Sequence, residues 1–267
     1  MIQDIYPHIY RNEYKPHDPG EDDIVFSFSE EGLLAKQDGS FFRYRDTGPA
    51  YLYTYLFTID QTSFFLADLS VSGGCVLPVR SFRAYTPKHL GFAAVTGWQL
   101  WKWYRSSRYC GVCGTRMKQD LKERAMYCPS CGEKVYPKIM PAVIVGVLYE
   151  DKILVTKYAG RAYSHYALIA GFAEIGETIE ETVRREVKEE AGLDVTDIVY
   201  YKSQPWSFSS TLLFGFFCRA ISPEIKLDET ELKEAHWASR DEEIAGADGT
   251  SLTSEMMRCF LKGNIKL

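Results

Sequence analysis

Three glutamates, Glu186, Glu189 and Glu190, crowd little more than one turn of a predicted helix. Thr178 followed by Glu181 forms a capping box, so the helix is expected to begin near Ile179. Gly192 supplies a left-handed stop, which ends it near Ala191. At about 100° per residue, Ile179, Val183, Val187 and Ala191 make one apolar stripe. Glu186 and Glu190 border that stripe, and Glu189 lies further round the same flank. Carboxylates beside a buried stripe, near enough to repel, call for a cation between them. A solvated acidic face is the competing reading, because Arg184, Arg185 and Lys188 share the helix. Arg185 is four residues from both Glu181 and Glu189, within reach of an ion pair that orients a base. Glu177 precedes the helix and is expected to tie the loop. Gly171 and Ala170 let the backbone come close to whatever the carboxylates hold.

A second set of residues points to a soft metal. Cys110-x2-Cys113 and Cys128-x2-Cys131 are separated by 14 residues. Two such turns face to face make a tetrahedral thiolate site, and four protein ligands leave no position open for water. The expected role is structural Zn²⁺; a redox pair or two unrelated turns is the alternative. Cys75, Cys218 and Cys259 have no partner motif and read as packed thiols.

The series Gly171-x5-Glu177-x7-Arg185-Glu186-Val187-x-Glu189-Glu190-x-Gly192-Leu193 resembles, position by position, the signature of the Nudix hydrolases. The resemblance implies an α/β/α sandwich with a mixed sheet over about residues 137–267. It also implies hydrolysis of a nucleoside diphosphate linked to another moiety with Mg²⁺ or Mn²⁺ as cofactor. The metal would be held by the Ala170 carbonyl, Glu186, Glu189 and Glu190. One carboxylate then serves as general base, Glu189 first and Glu190 close behind.

A four-cysteine ribbon directly before such a domain resembles the NADH pyrophosphatases, the NudC-type subfamily. So does Ser203-Gln204-Pro205-Trp206-Ser207-Phe208-Ser209-Ser210, which starts 10 residues after the signature ends. The likeness implies substrate contacts from Gln204, Pro205, Trp206, Phe208 and Ser210, with Trp206 and Phe208 as stacking faces. The chain departs from the subfamily at Ser207 and Ser209, where proline is usual, and this bears on substrate preference. Residue by residue, Glu231 matches an additional metal-binding glutamate, while Tyr136 and Phe172 match positions flanking a substrate base. Thr253 falls near a substrate-proximal alanine, and Arg80 faintly matches a substrate-contacting arginine. The family implies a homodimer.

These residues need elements to position them. The expected class is α+β and multidomain: a β-rich domain over 1–105, a zinc ribbon over 106–136 and a Nudix domain over 137–267. Strands are predicted at Ile24–Phe28, Tyr51–Thr58, Ser63–Leu69 and Cys75–Val79, followed by a helix from about Leu90 to Tyr104. Beyond Pro137, residues 142–149 read as a buried strand and 152–158 as its hairpin partner. A short strand at 167–170, two more near 197–202 and 211–220, and a helix near 251–262 complete the expectation.

Composition narrows the function class. The chain has 267 residues, 46% hydrophobic and 25% charged, which is ordinary for a globular protein. The net charge of −5 offers a phosphate-rich substrate no overall attraction, so a local group or a cation must hold it. The N-terminus lacks an apolar run, and no apolar stretch approaches the roughly 20 residues that span a bilayer. A cytoplasmic protein without a membrane partner is the expectation. The leading activity is cleavage of NADH or NAD⁺ to NMN(H) and AMP. Removal of NAD caps from RNA, or cleavage of ADP-ribose or dinucleoside polyphosphates, is the alternative. Trp98 to Tyr109 interleaves aromatic and basic residues, either to touch RNA or to pack a helix. A zinc-ribbon adaptor with an inactive Nudix scaffold is the non-enzymatic reading, which an intact acidic set opposes.

Overall fold

The computed structural model of the chain describes residues 1–48, 52–70, 73–160, 165–244 and 249–265. It divides into two compact units: Ile2–Lys138 with Ser207–Ser210, and Met1 with Ile139–Trp206 and Thr211–Leu267.

The first unit opens with β1 (Tyr10–Arg11), β2 (Ile24–Phe26), β3 (Leu33–Ala35), β4 (Thr54–Ile59), β5 (Thr62–Leu66) and β6 (Cys75–Leu77). Four of them form a sheet in the order β1-β4-β5-β2, while β3 and β6 pair separately. The four predicted strands are present but shorter, and Tyr51 lies outside the described residues. The helix α1 runs from Lys88 to Ser106, two residues longer at each end than its apolar pattern. Its Trp101 and Trp103 are buried with Phe26, Phe57 and Phe64 in one aromatic core, and Trp98 packs on its edge. Hydrophobic burial thus explains the aromatic stripe of this helix. Cys110, Met117, Met126 and Cys128 enter the same core. They come from a three-stranded ribbon of β7 (Lys118–Gln119), β8 (Met126–Tyr127) and β9 (Lys134–Val135).

The second unit holds β10 (Met140–Tyr149), β11 (Lys152–Tyr158), β12 (Ile169–Phe172), α2 (Ile179–Ala191), β13 (Val195–Trp206), β14 (Thr211–Ala220), β15 (Leu232–Ala238) and α3 (Leu252–Leu261). The sheet order is β13-β14-β10-β11-β15, with β12 also on β10. The β10–β14 pairing is parallel and the others antiparallel, so the sheet is mixed.

Strand β10 is apolar throughout because both its faces are covered. Val143, Val145 and Val147 lie in one cluster with Val183, Val187 and Ala191 of α2. Ile144 and Leu148 lie in another with Leu252, Met256, Met257 and Phe260 of α3. Two helix layers therefore enclose the sheet, and the predicted stripe of α2 is the face that meets it. Strand β15 has no counterpart in the sequence expectations, since Leu232 to Trp237 mixes charges into a short run. No helix among the described residues is long and apolar enough to cross a membrane.

Candidate active site and cysteine centre

Helix α2 begins where its capping box says: Thr178 Oγ1 accepts from the Glu181 amide, and the Glu181 side chain returns the bond. Gly192 closes it with φ of 70°, in the left-handed region. Glu181 is thereby used as a cap and does not pair with Arg185, which keeps its other expected partner, Glu189, and gains new ones. Its guanidinium donates to both oxygens of Glu177 at 2.5 and 3.0 Å, to Glu186 at 2.7 Å, to Glu189 at 2.9 Å and to the Phe172 carbonyl at 2.8 Å. Glu177 also accepts from the Glu174 amide and the Thr182 hydroxyl, so it ties the preceding loop to the helix. The Arg185 contact holds the Glu177 carboxyl down at about 2, and Arg185 itself is raised, chiefly by Glu177.

The glutamates face different environments. Glu189 leaves 59% of its side chain exposed. Glu186 is 8% exposed and Glu190 only 2%. Burial raises the Glu186 carboxyl above its usual range against the pull of Arg185. Burial, with Glu186 and Glu231 adding repulsion, pushes Glu190 up to about 8, although a backbone hydrogen bond from Ala170 leans the other way. Glu190 Oε2 is enclosed and has no hydrogen-bond partner. A buried carboxylate oxygen left bare is costly, and a cation is the group that would satisfy it.

Strand β12 supplies the opposite wall. A Cβ placed on Gly171 would sit 1.9 Å from the Glu186 carboxyl carbon, so only glycine lets that carboxylate lie on the strand. Gly171→Ala is expected to displace Glu186 and to lower turnover by at least about 100-fold with little loss of Tm. Unchanged kcat in the variant would show that this close approach has no catalytic use.

Four acids follow one another before and in β15, and the structure separates them. Glu234 accepts from Lys157 and Tyr166, each at 2.9 Å. Asp228 accepts from the Thr230 amide and hydroxyl at 2.8 and 2.6 Å. Glu229 and Glu231 have no side-chain partner among the described residues, and Glu231 is the one whose charge acts on both Glu186 and Glu190. The structure therefore gathers Ala170, Glu186, Glu190 and Glu231 around one place. Among the described residues their carboxylate oxygens do not converge as tightly as the cysteine sulfurs, and Arg185 holds Glu186 together with Glu189.

The other predicted contacts spread more widely. In the second unit Phe172 is 50% exposed, Pro205 is exposed, and Trp206 and Thr253 are half-buried. Gln204 is fully buried: its oxygen accepts from the Leu252 amide at 2.7 Å and its nitrogen donates to the Thr250 carbonyl, so it anchors the start of α3. In the first unit Tyr136 is 53% exposed and donates to Glu123, Phe208 packs against the aromatic core, and Ser210 turns the chain at φ of 58°. Arg80 is exposed at the first turn of a 3-10 helix over Val79–Ala84. The residue that sequence reasoning passed over is Asp228. Its signal was Asp228-Glu229-Thr230, a pattern in which an aspartate accepts from the amide two residues on.

In the cysteine centre, Cys113 lies 3.4 Å from Cys128 and 3.6 Å from Cys131, and Cys110 lies 3.6 Å from Cys131. A tetrahedral site with bonds of about 2.3 Å needs sulfurs roughly 3.8 Å apart, so the set fits Zn²⁺. The Val112 and Cys131 amides donate to Cys110 and Cys128 sulfurs. Hydrogen bonding with Thr115 lowers Cys113 to about 6. The Glu133 amide pulls Cys131 down, but its three sulfur neighbours outweigh it and raise the thiol to about 12.

An enclosing two-helix, mixed-sheet fold with an acidic helix against a glycine strand defines the class. The NUDIX domain family matches residues 138–257 and the NADH pyrophosphatase zinc ribbon domain matches residues 105–136. The chain thus carries a Nudix domain directly preceded by that ribbon. It is 42% identical over 146 residues to NAD-capped RNA hydrolase NudC of Escherichia coli O1:K1 / APEC, and equally to that of strain SMS-3-5 / SECEC. Each match covers 55% of this chain and 57% of the relative, so the chain spans little more than half the length of these proteins. Among solved structures, a NUDIX hydrolase from Nitrosomonas europaea superposes with TM-score 0.50 at 22% identity, covering 57% of this chain and 90% of that one. That likeness supports the fold.

Proposed function

We propose that the chain hydrolyses the diphosphate linkage of NADH or NAD⁺, yielding NMN(H) and AMP. The observation that carries this reading is the buried Glu190 carboxylate, one oxygen of which has no partner, beside the Glu186 carboxylate that lies on the Gly171 strand. An all-oxygen donor set of Ala170, Glu186, Glu189, Glu190 and Glu231 suits hard cations such as Mg²⁺ or Mn²⁺. When bound, such a cation neutralises the diphosphate charge and acidifies water. Glu189 is the assigned base, because it alone of the helix set stays exposed to solvent while Arg185 orients it. Water adds to one phosphorus, Glu189 takes its proton, and the bridging oxygen leaves with the other phosphate. Exposed Phe172 and the Trp206 ring offer stacking faces for a base. Zn²⁺ in the four-cysteine centre holds structure, and the assembly is a homodimer.

One observation favours a second reading, in which NAD is attached to RNA. Residues 80–138 carry twelve lysines and arginines against three acids, a net +9 within a chain of net −5. Arg108, Arg116, Lys118 and Lys122 are exposed there, and the exposed Tyr109 bridges to Arg116. Such a surface suits a polynucleotide backbone.

Turnover of NADH, NAD⁺, ADP-ribose, a dinucleoside polyphosphate and NAD-capped RNA with Mg²⁺ and with Mn²⁺ tests both readings. Cleavage of NADH or NAD⁺ at the diphosphate is expected, and its absence with either metal overturns the first. For the second, KM for capped RNA is expected to rise steeply with salt, with a logarithmic slope of about −0.7 in affinity per neutralised phosphate, while KM for NADH barely moves. Equal salt dependence of the two substrates counts against RNA contact.

A further inference from the structure

The loop that leads from β14 to β15 is fastened to the end of α2 at two points. The Lys226 amide donates to the Ala191 carbonyl at 2.8 Å and the Asp228 amide donates to the Glu190 carbonyl at 3.1 Å. These are carbonyls that a helix end leaves without partners of its own. Asp228 then turns the chain back. Its carboxylate accepts from the Thr230 amide and hydroxyl, and its carbonyl accepts from the amides of Glu231 at 3.2 Å and Leu232 at 2.9 Å. Every polar group of Asp228 but one carboxylate oxygen is thus spent between Glu190 on one side and Glu231 on the other. The Glu231 carbonyl accepts from the Ala159 amide, which fixes the far end of the turn to the residue that follows β11.

We infer that Asp228 is a positioning residue, setting where the Glu231 carboxylate stands relative to Glu186 and Glu190. This rests on the proposed reading of Glu231 as a metal ligand. The acids alone would not carry it; the second observation is the enclosed Glu190 oxygen without a partner, to which the same loop is bonded through the Glu190 backbone. A loop tied to the backbone of one ligand and ending on another fixes their separation. Glu231 lies in a turn, where no helix or strand ladder would do so.

The test measures Mn²⁺ binding directly, by the electron paramagnetic resonance signal of the free ion, beside turnover. Asp228→Ala is expected to weaken Mn²⁺ binding about 10-fold, as loss of a group that orients a ligand does, with KM for NADH at saturating Mn²⁺ little changed. Asp228→Asn keeps an oxygen that accepts the same two bonds and is expected to restore most of the affinity. In a Glu231→Gln background, Asp228→Ala is expected to add nothing, because it acts through Glu231. Should Asp228→Ala fail to fold, Thr230→Val removes one of the same bonds and is expected to weaken Mn²⁺ binding modestly. Additive effects in the double variant overturn the inference. So does an Asp228→Asn variant as weak as Asp228→Ala, or a Glu231→Gln variant that binds Mn²⁺ like wild type. Binding that follows this pattern in a protein that cleaves no dinucleotide would instead sink the proposed activity and leave the positioning role standing.

Discussion

Glu190→Gln is expected to cut turnover by roughly 10³-fold, about 4 kcal/mol of barrier, and at the same time to make the metal-free protein more stable at alkaline pH. Both effects come from one carboxylate. It is 2% exposed, one of its oxygens has no partner, and burial with the nearby Glu186 and Glu231 charges pushes it up to about 8. Its value in the unfolded chain is 4.5. Between those two pH values the folded state holds a proton that the unfolded state has released, so stability falls as pH rises through the window. Below about pH 4.5 there is no penalty; above about pH 8 it is complete.

Ionising such a group costs up to roughly 5 kcal/mol, and relaxation and water entry reduce what is measured to about 1–3 kcal/mol. Glutamine removes the penalty while keeping an oxygen for the Ala170 amide. In metal-free buffer, Tm of the variant is expected to exceed wild type by about 2–10 °C at pH 9 and to match it near pH 4.5. Mn²⁺ is expected to raise wild-type Tm far more at pH 8 than at pH 6, and to leave the variant nearly unmoved. A variant that loses stability equally at both pH values would show that Glu190 is a packing residue, and a variant that retains turnover would remove it from the site.

The chemistry of α2 was legible because cap, stripe and stop agree with one another. Thr178, Val183, Val187 and Gly192 each report on local backbone or burial, and these depend on near neighbours. The cysteine centre was legible for the same reason, since two CxxC turns carry most of their geometry with them. The mixed sheet was only partly so. Strand β10 betrays itself by an apolar run, whereas β15 is held in register by β11, with Leu154 opposite Trp237 and Lys157 opposite Glu234, and its sequence contains too many charges to signal a strand. The fate of Glu234 depended on Lys157 and Tyr166, more than 60 residues away, whereas that of Asp228 was written locally in Thr230. Gln204 shows the converse: a motif position that reads as a ligand contact is spent on the amide of Leu252. Trp101 and Trp103, which spacing left open to RNA or to packing, went to packing because a buried indole removes more apolar surface than any exposed use could.

Removing zinc is expected to unfold the first unit while sparing the chemical step. Cys110 and Cys128 are 3% and 1% exposed and share one core with Trp101, Trp103 and Phe57, so the ribbon is part of the packing of that unit. Four sulfurs within 3.4–3.6 Å of their neighbours have opposed thiol behaviour, Cys113 low and Cys131 high, and without a cation they must share protons or repel. Structural zinc in small domains contributes about 10–16 kcal/mol of apparent binding energy, more than the whole stability of most folds. Cys128→Ser is therefore expected to lose bound zinc and to collapse the near-ultraviolet circular dichroism of the buried tryptophans. Chelation by phenanthroline should lower Tm by more than about 10 °C, because the ion binds the folded state alone. With Mn²⁺ in excess, turnover per folded molecule should fall no more than about threefold, since a closed four-thiolate site has no position from which to reach a substrate. Abrupt loss of turnover, with dichroism and Tm intact, would place the zinc in the chemistry and remove the structural assignment.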